Sequence, residues 1–99
     1  MTNVHSFDLL ILDPAWRPRH RMAMTTDWRT AIGHILALDA HWVALDQHRP
    51  GKIPPLPNPV DIALTRAFIR RLRPLDLYLA DHMICADGQR FSFRAEGLL

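Results

Sequence analysis

Cysteine, glutamate and lysine each occur once in the 99 residues, as Cys85, Glu96 and Lys52. A lone cysteine excludes an intrachain disulfide and any cysteine-rich zinc spacing, and it fits a reducing cytosol; its own expected role is a small residue buried in a strand. With its only glutamate at position 96, the chain has aspartate at nine of its ten carboxylates. Acid–base chemistry earlier in the chain therefore rests on shorter side chains. Charge of one sign is also scarce: twelve basic residues face ten acidic ones, for a net charge of +2. That balance is weaker and less clustered than a nucleic-acid-binding module normally shows. No apolar run approaches the roughly 20 residues that span a bilayer, and Met1-Thr-Asn-Val-His lacks the basic and apolar parts of a leader. A soluble, cytoplasmic protein with no membrane partner is expected. Repeats and low-complexity segments are absent.

What is present fits an ordinary globular chain, 48% apolar and 22% charged, with residues 1–99 forming a single domain. A core of this size leaves little surplus stability, so a protein partner or a homodimer interface is an expected source of more. Phe7–Leu12 reads as a strand closed by the turn Asp13-Pro14. Trp16–Arg21 is turn-like, and Arg21–Thr25 is expected to return as the second strand of a hairpin. Thr26 or Asp27 caps a helix ending near Asp39, with Trp28, Ala31, Ile32, Ile35, Leu36 and Leu38 along one face. His41–Leu45 is short and apolar enough for a strand buried on both faces. Five prolines and a glycine between Arg49 and Pro59 predict a rigid loop. Asn58 as N-cap, Pro59 at the first helical position and Asp61 at the third start a second helix, which Pro74 stops after about Arg73. On it Ile62, Leu64, Thr65, Phe68, Ile69 and Leu72 share one arc with Asp61 at its centre, while Arg66, Arg70, Arg71 and Arg73 lie opposite. Leu75–Cys85 is expected as a strand with Tyr78 and Met83 facing inward, and Asp87-Gly88 turns it into Arg90–Arg94. The order is β-β-α-β-α-β-β, an α/β fold.

Two stretches carry a family resemblance. Pro55-Leu-Pro-Asn-Pro-Val-Asp-Ile-Ala-Leu-Thr-Arg66 and Leu79-Ala-Asp-His-Met-Ile-Cys-Ala-Asp-Gly-Gln-Arg-Phe-Ser-Phe-Arg-Ala-Glu-Gly-Leu-Leu99 resemble the C-terminal part of the RadC family, and Phe7–Asp13 resembles its first strand. The resemblance implies a JAB/MPN domain, a cytidine-deaminase-like α-β-α architecture with a mixed sheet and two main helices. It also implies a JAMM-type site: His-x-His-Pro and then Ser-x-x-Asp, two His and an Asp on zinc, and an upstream Glu as general base. In such a site three protein ligands leave zinc a position for water, whose proton the base removes.

This chain departs from that pattern. Asp46 stands at the first His position, His48 at the second, Arg49 at the Pro and Asn58 at the Ser, while Asp61 is retained. No Glu precedes position 96, so Asp13 or Asp27 would have to serve as base. Asp46 and His48 are two apart at a strand end and project to one side, where Asp61 could meet them. An Asp46–His48–Asp61 set with Asn58 beside it would hold one divalent metal, zinc or, given two carboxylates, manganese or magnesium. The competing reading gives Asp61 a capping role and leaves Asp46 and His48 a polar loop pair. Asp81 and His82 match the family tail and are expected to form a buried Asp–His hydrogen bond before a ligand pair. His5, His20, His34 and His41 show no ligand spacing. The helix arginines with Trp16, Arg17, Arg19 and Arg21 form either a phosphate-binding patch or a solvated face.

Three functions compete: a binding or regulatory JAB module with impaired catalysis, a metal-dependent peptidase or isopeptidase of this fold, and a DNA-associated repair factor. No catalytic residue is assigned.

Overall fold

The computed structural model describes residues 6–24 and 27–99. The apolar run Ser6–Leu12 forms strand β1, and after the turn at Asp13 the chain returns antiparallel as β2, Pro18–Ala23. The hairpin therefore re-enters the sheet at Pro18, three residues before the expected Arg21. Asp13 tightens the turn: its Oδ1 accepts the amides of Ala15 and Arg17 at 2.8 and 2.9 Å. The expected end of this strand at Thr25, and Thr26 as an alternative cap, lie outside the described residues.

Helix α1, Trp28–Ala37, starts at Asp27, whose carboxylate accepts the amides of Arg29 and Thr30. Strand β3, Trp42–His48, is longer than expected and buried through Gln47. It pairs antiparallel with β1 and parallel with β4, Tyr78–Ala86, which the two left-handed residues Asp87 and Gly88 link to β5, Gln89–Ser92. Positive φ at both central residues twists the turn as a two-residue hairpin requires. The result is the expected α/β fold, a mixed five-stranded sheet in the order β2-β1-β3-β4-β5.

Between β3 and β4 lies helix α2, Pro59–Leu72, followed by one 3-10 turn at Arg73–Leu75. Its start is the predicted capping box: the Asn58 side chain accepts the Asp61 amide at 2.9 Å, and the Asp61 carboxylate accepts the Asn58 amide at 2.8 Å. Asn58→Ala removes one half of this exchange and is expected to cost about 1 kcal/mol, a fall in Tm on the order of 5 °C for a domain of this size. Thermal unfolding of the two proteins checks it; identical midpoints would show that the box contributes nothing.

Strand alternation gives the sheet two unlike faces. Leu9, Ile11, Val43, Leu45 and Leu79 meet Ala31 and Ile35 of α1 and Phe68 and Leu72 of α2 in the main core, where Trp28 packs edge-on to Phe68. Both helices thus cover this face. The other face carries a smaller cluster of Leu10, Leu12, Ala44 and Ala80 beside Trp42. Three expectations change here. Leu36 and Leu64 were placed on the apolar helix faces, but both are exposed; each helix rests only a narrow stripe on the sheet. Tyr78 and Met83 pair with Trp42 and Asp46 on the helix-free side. A register shift at Val43/Ala44 sets Leu79 and His82 on the helix side instead.

Candidate functional site

Strand β3 divides the candidate residues between the two faces. Asp46 and His48, two apart, point to one common side as expected, but it is the helix-free side, away from Asp61, and His48 Nε2 lies 3.3 Å from Asp46 Oδ2. Gln47 between them points the other way, towards α2.

Under α2 the polar groups form one directed chain. Gln47 Nε2 donates to Asp61 Oδ1 at 3.4 Å, which leaves Gln47 Oε1 to accept from His82 Nε2–H at 2.9 Å. His82 Nδ1 is then an acceptor for the Thr65 hydroxyl at 2.6 Å, whose one proton also has the Asp61 carbonyl within reach at 2.9 Å. The ring is fully buried and stacked on Phe93 at 4.4 Å. Burial, opposed by the charges of Asp61 and Asp81, pushes the His82 imidazole down to about 4, so it is neutral at ordinary pH. The expected Asp81–His82 pair is not formed through the ring. Neighbouring strand residues point to opposite faces, and Asp81 instead accepts the His82 and Arg94 amides and the Ser92 hydroxyl.

Asp61, 5% exposed, is surrounded by donors. Besides Gln47 and the Asn58 amide, the Arg49 guanidinium is on its Oδ2, and Arg49 Nη1 donates to the Leu56 carbonyl at 2.7 Å, which ties the proline-rich loop to the helix start. Burial alone would raise the Asp61 carboxyl, but the Asn58 amide and Arg49 outweigh it and hold the group below the usual carboxylate range.

On the helix-free side, Asp46 Oδ2 also accepts from Arg21 Nη2 at 2.9 Å, while Arg21 Nη1 donates to Asp8 at 2.6 Å. Burial raises the Asp46 carboxyl, and the bonds from Arg21 and His48 more than reverse this. Cys85, in register with His48 on β4, brings its Sγ to 3.8 Å from Asp46 Oδ1. Among the described residues, Asp46, His48 and Cys85 form a group whose ligand atoms lie within 4.8 Å of one another.

The expected Asp46–His48–Asp61 set therefore does not converge. Its strand residues face away from α2, and the cation on Asp61 is Arg49. The donor set of the zinc site implied by the resemblance does not fit these residues. Neither stand-in for the base reaches Asp46: Asp13 closes the turn beyond Leu12, at the Trp42 end of β3, and Asp27 caps α1. The residues expected as a phosphate patch are partly engaged within the chain: Arg21 as above, Arg17 with Asp13 and Arg71 over Trp28, while Trp16 carries Arg94, which lies outside that patch. His20 and His34 stack on each other at 4.7 Å. Sequence reasoning passed over Gln47, Arg49 and Arg21 as participants, and Cys85 because its partner is set by strand register.

The model of the RadC-like JAB domain matches residues 21–98. A UPF0758 protein of Rhodobacter capsulatus is 38% identical over 71 residues, 72% of this chain and 33% of its own length. A UPF0758 protein of Acidithiobacillus ferrooxidans is 32% identical over 73 residues, 74% of this chain and 32% of its own. The chain thus spans about a third of the length of these relatives. The family match covers both faces of β3, the capping box and the tail through Arg94, the segments that build the network and the open cluster alike. By that match the chain belongs to the RadC-like JAB domain family.

Proposed function

We propose that this JAB domain works as a binding or regulatory module, towards a protein partner or a second copy of itself, and has lost the hydrolytic centre that its family resemblance implies. The observation that carries the reading is the Arg49–Asp61 pair. Asp61 is the retained position of the expected metal set, and its carboxylate is saturated by a guanidinium, a backbone amide and a side-chain amide. A cation built into the chain neutralises that carboxylate at no cost in ligand binding, but it brings no water to activate. Within these 99 residues no glutamate precedes position 96, so the chain itself offers no glutamate for the second requirement, a base for that water.

The test is cleavage of peptide and isopeptide-linked substrates with zinc or manganese added, with His48→Ala in parallel. Turnover indistinguishable from that of the variant is expected. Metal-dependent cleavage by the unmodified chain that disappears in His48→Ala would overturn the reading in favour of a hydrolase.

A further inference from the structure

The geometry points to a divalent-metal site on the helix-free face of the sheet, built from Asp46, His48 and Cys85, that takes a cation of the zinc class. It uses no residue of α2, and it goes beyond the loss of hydrolysis proposed above.

Three observations carry it. First, the ligands stand on adjacent rigid strands: Asp46 and His48 two apart on β3, and Cys85 beside His48 in the parallel register of β4. A strand pair fixes such positions better than a loop does. Second, the spacing is near that of a coordination shell. Zinc bonds of about 2.0–2.3 Å imply edges of roughly 3.3–3.6 Å between tetrahedral ligands. The Cys85 Sγ lies 3.8 Å from Asp46 Oδ1 and the His48 Nε2 3.3 Å from the other oxygen of that carboxylate, and one ligand atom from each of the three residues falls inside 4.8 Å. Third, the site is closed on one side and open on the other. Asp46 is 6% exposed, whereas His48 and Cys85 border a 390 Å³ cleft with Arg49, Gly88 and Arg90.

The surroundings suit the metal. Arg21 holds Asp46 through Oδ2 while Oδ1 faces the thiol, so Oδ1 can ligate with Arg21 remaining as an orienting donor on the other oxygen. On binding, the Cys85 thiol gives its proton to solvent, and one carboxylate, one thiolate and one neutral imidazole balance a doubly charged ion. The thiolate also decides the metal. An Asp46–His48–Asp61 set would have favoured manganese or magnesium, whereas a sulfur ligand selects zinc and disfavours both.

Cobalt(II) titration of the reduced chain reads the site directly, since a thiolate ligand gives a charge-transfer band in the near ultraviolet. One equivalent is expected to develop that band, and zinc to displace it. Zinc is also expected to shield Cys85, the sole cysteine, from alkylation followed by mass spectrometry. Cys85→Ser should abolish the band and weaken zinc binding at least about 10-fold, and His48→Ala should end the shielding. A chain with native circular dichroism that shows no thiolate band, or zinc binding of unchanged affinity in Cys85→Ser, overturns the site. Either result leaves the cleavage assay, and the loss of hydrolysis it tests, unaffected.

Discussion

Replacing Arg49 with methionine is expected to destabilise the fold by about 3 kcal/mol, because removing one partner of a buried pair strands the charge of the other. For a domain of this size the fall in Tm is on the order of 15 °C. Methionine keeps much of the arginine stem's volume, so the change isolates the guanidinium. What remains around Asp61 is the Asn58 amide and a long bond from Gln47, too little to solvate a carboxylate that is 5% exposed. The loop should loosen as well, since Arg49 also holds the Leu56 carbonyl. Asp61→Asn in the same chain removes the stranded charge, and the double variant should regain a large part of the lost stability. Chemical denaturation of the two single variants and the double variant measures the coupling. An Arg49→Met chain as stable as the parent would mean that the pair is an incidental contact and that Asp61 is available to other ligands.

Stability should also fall by about 3 kcal/mol as the pH is lowered from about 7 to about 4, because of His82. Its ordinary value is 6.5, and in the folded chain it is pushed down to about 4. Between these values the unfolded chain holds a proton on this imidazole that the native chain does not. Acid therefore favours unfolding through this window, and the effect levels off below about 4, where both states are protonated. The carboxyls of Asp46 and Asp61 are shifted in the same direction, and their contribution is likewise lost in acid, but only as the pH drops below their ordinary 3.8, so the two effects separate along the pH axis. His82→Gln, whatever its own cost, should flatten the slope between neutral pH and about 4. Unfolding free energies from urea titrations at several pH values provide the readout; an unchanged slope in the variant would place the acid sensitivity elsewhere.

How much of this was legible in the sequence depended on distance along the chain. The capping box lies within Asn58–Asp61, and the Asp87-Gly88 hairpin within two residues, so local rules were enough to find both. The pairing of Asp46 with His48 followed from the two-residue period of a strand. Which face α2 covers did not, and that choice put Gln47 rather than its neighbours against Asp61. The positions of Tyr78 and Met83 turn on a register shift between β3 and β4, which no pattern inside β4 alone records. Leu36 and Leu64 satisfied helical spacing, but the stripe that reaches the sheet is narrower than the arc of apolar residues. Cys85 read as an ordinary strand residue because its neighbours Asp46 and His48 are supplied by a strand on the far side of the proline-rich loop and α2. Arg49 read as a defect in a motif; its meaning appears only when the loop brings it back onto the helix start.

The order β2-β1-β3-β4-β5 leaves β2 and β5 as the outer strands of the sheet among the described residues. Each presents a row of backbone groups that another extended chain could join, the usual route to sheet-to-sheet aggregation. Both are poorly suited to it. β2 opens with Pro18, which has no amide proton to offer, and carries Arg19 and Arg21; β5 is four residues long and contains Arg90. Two identical edges approaching one another would bring guanidinium against guanidinium. A domain working at high local concentration, or beside a second copy, is thereby guarded against joining through its strand edges, and contact between copies is directed to its side-chain surfaces.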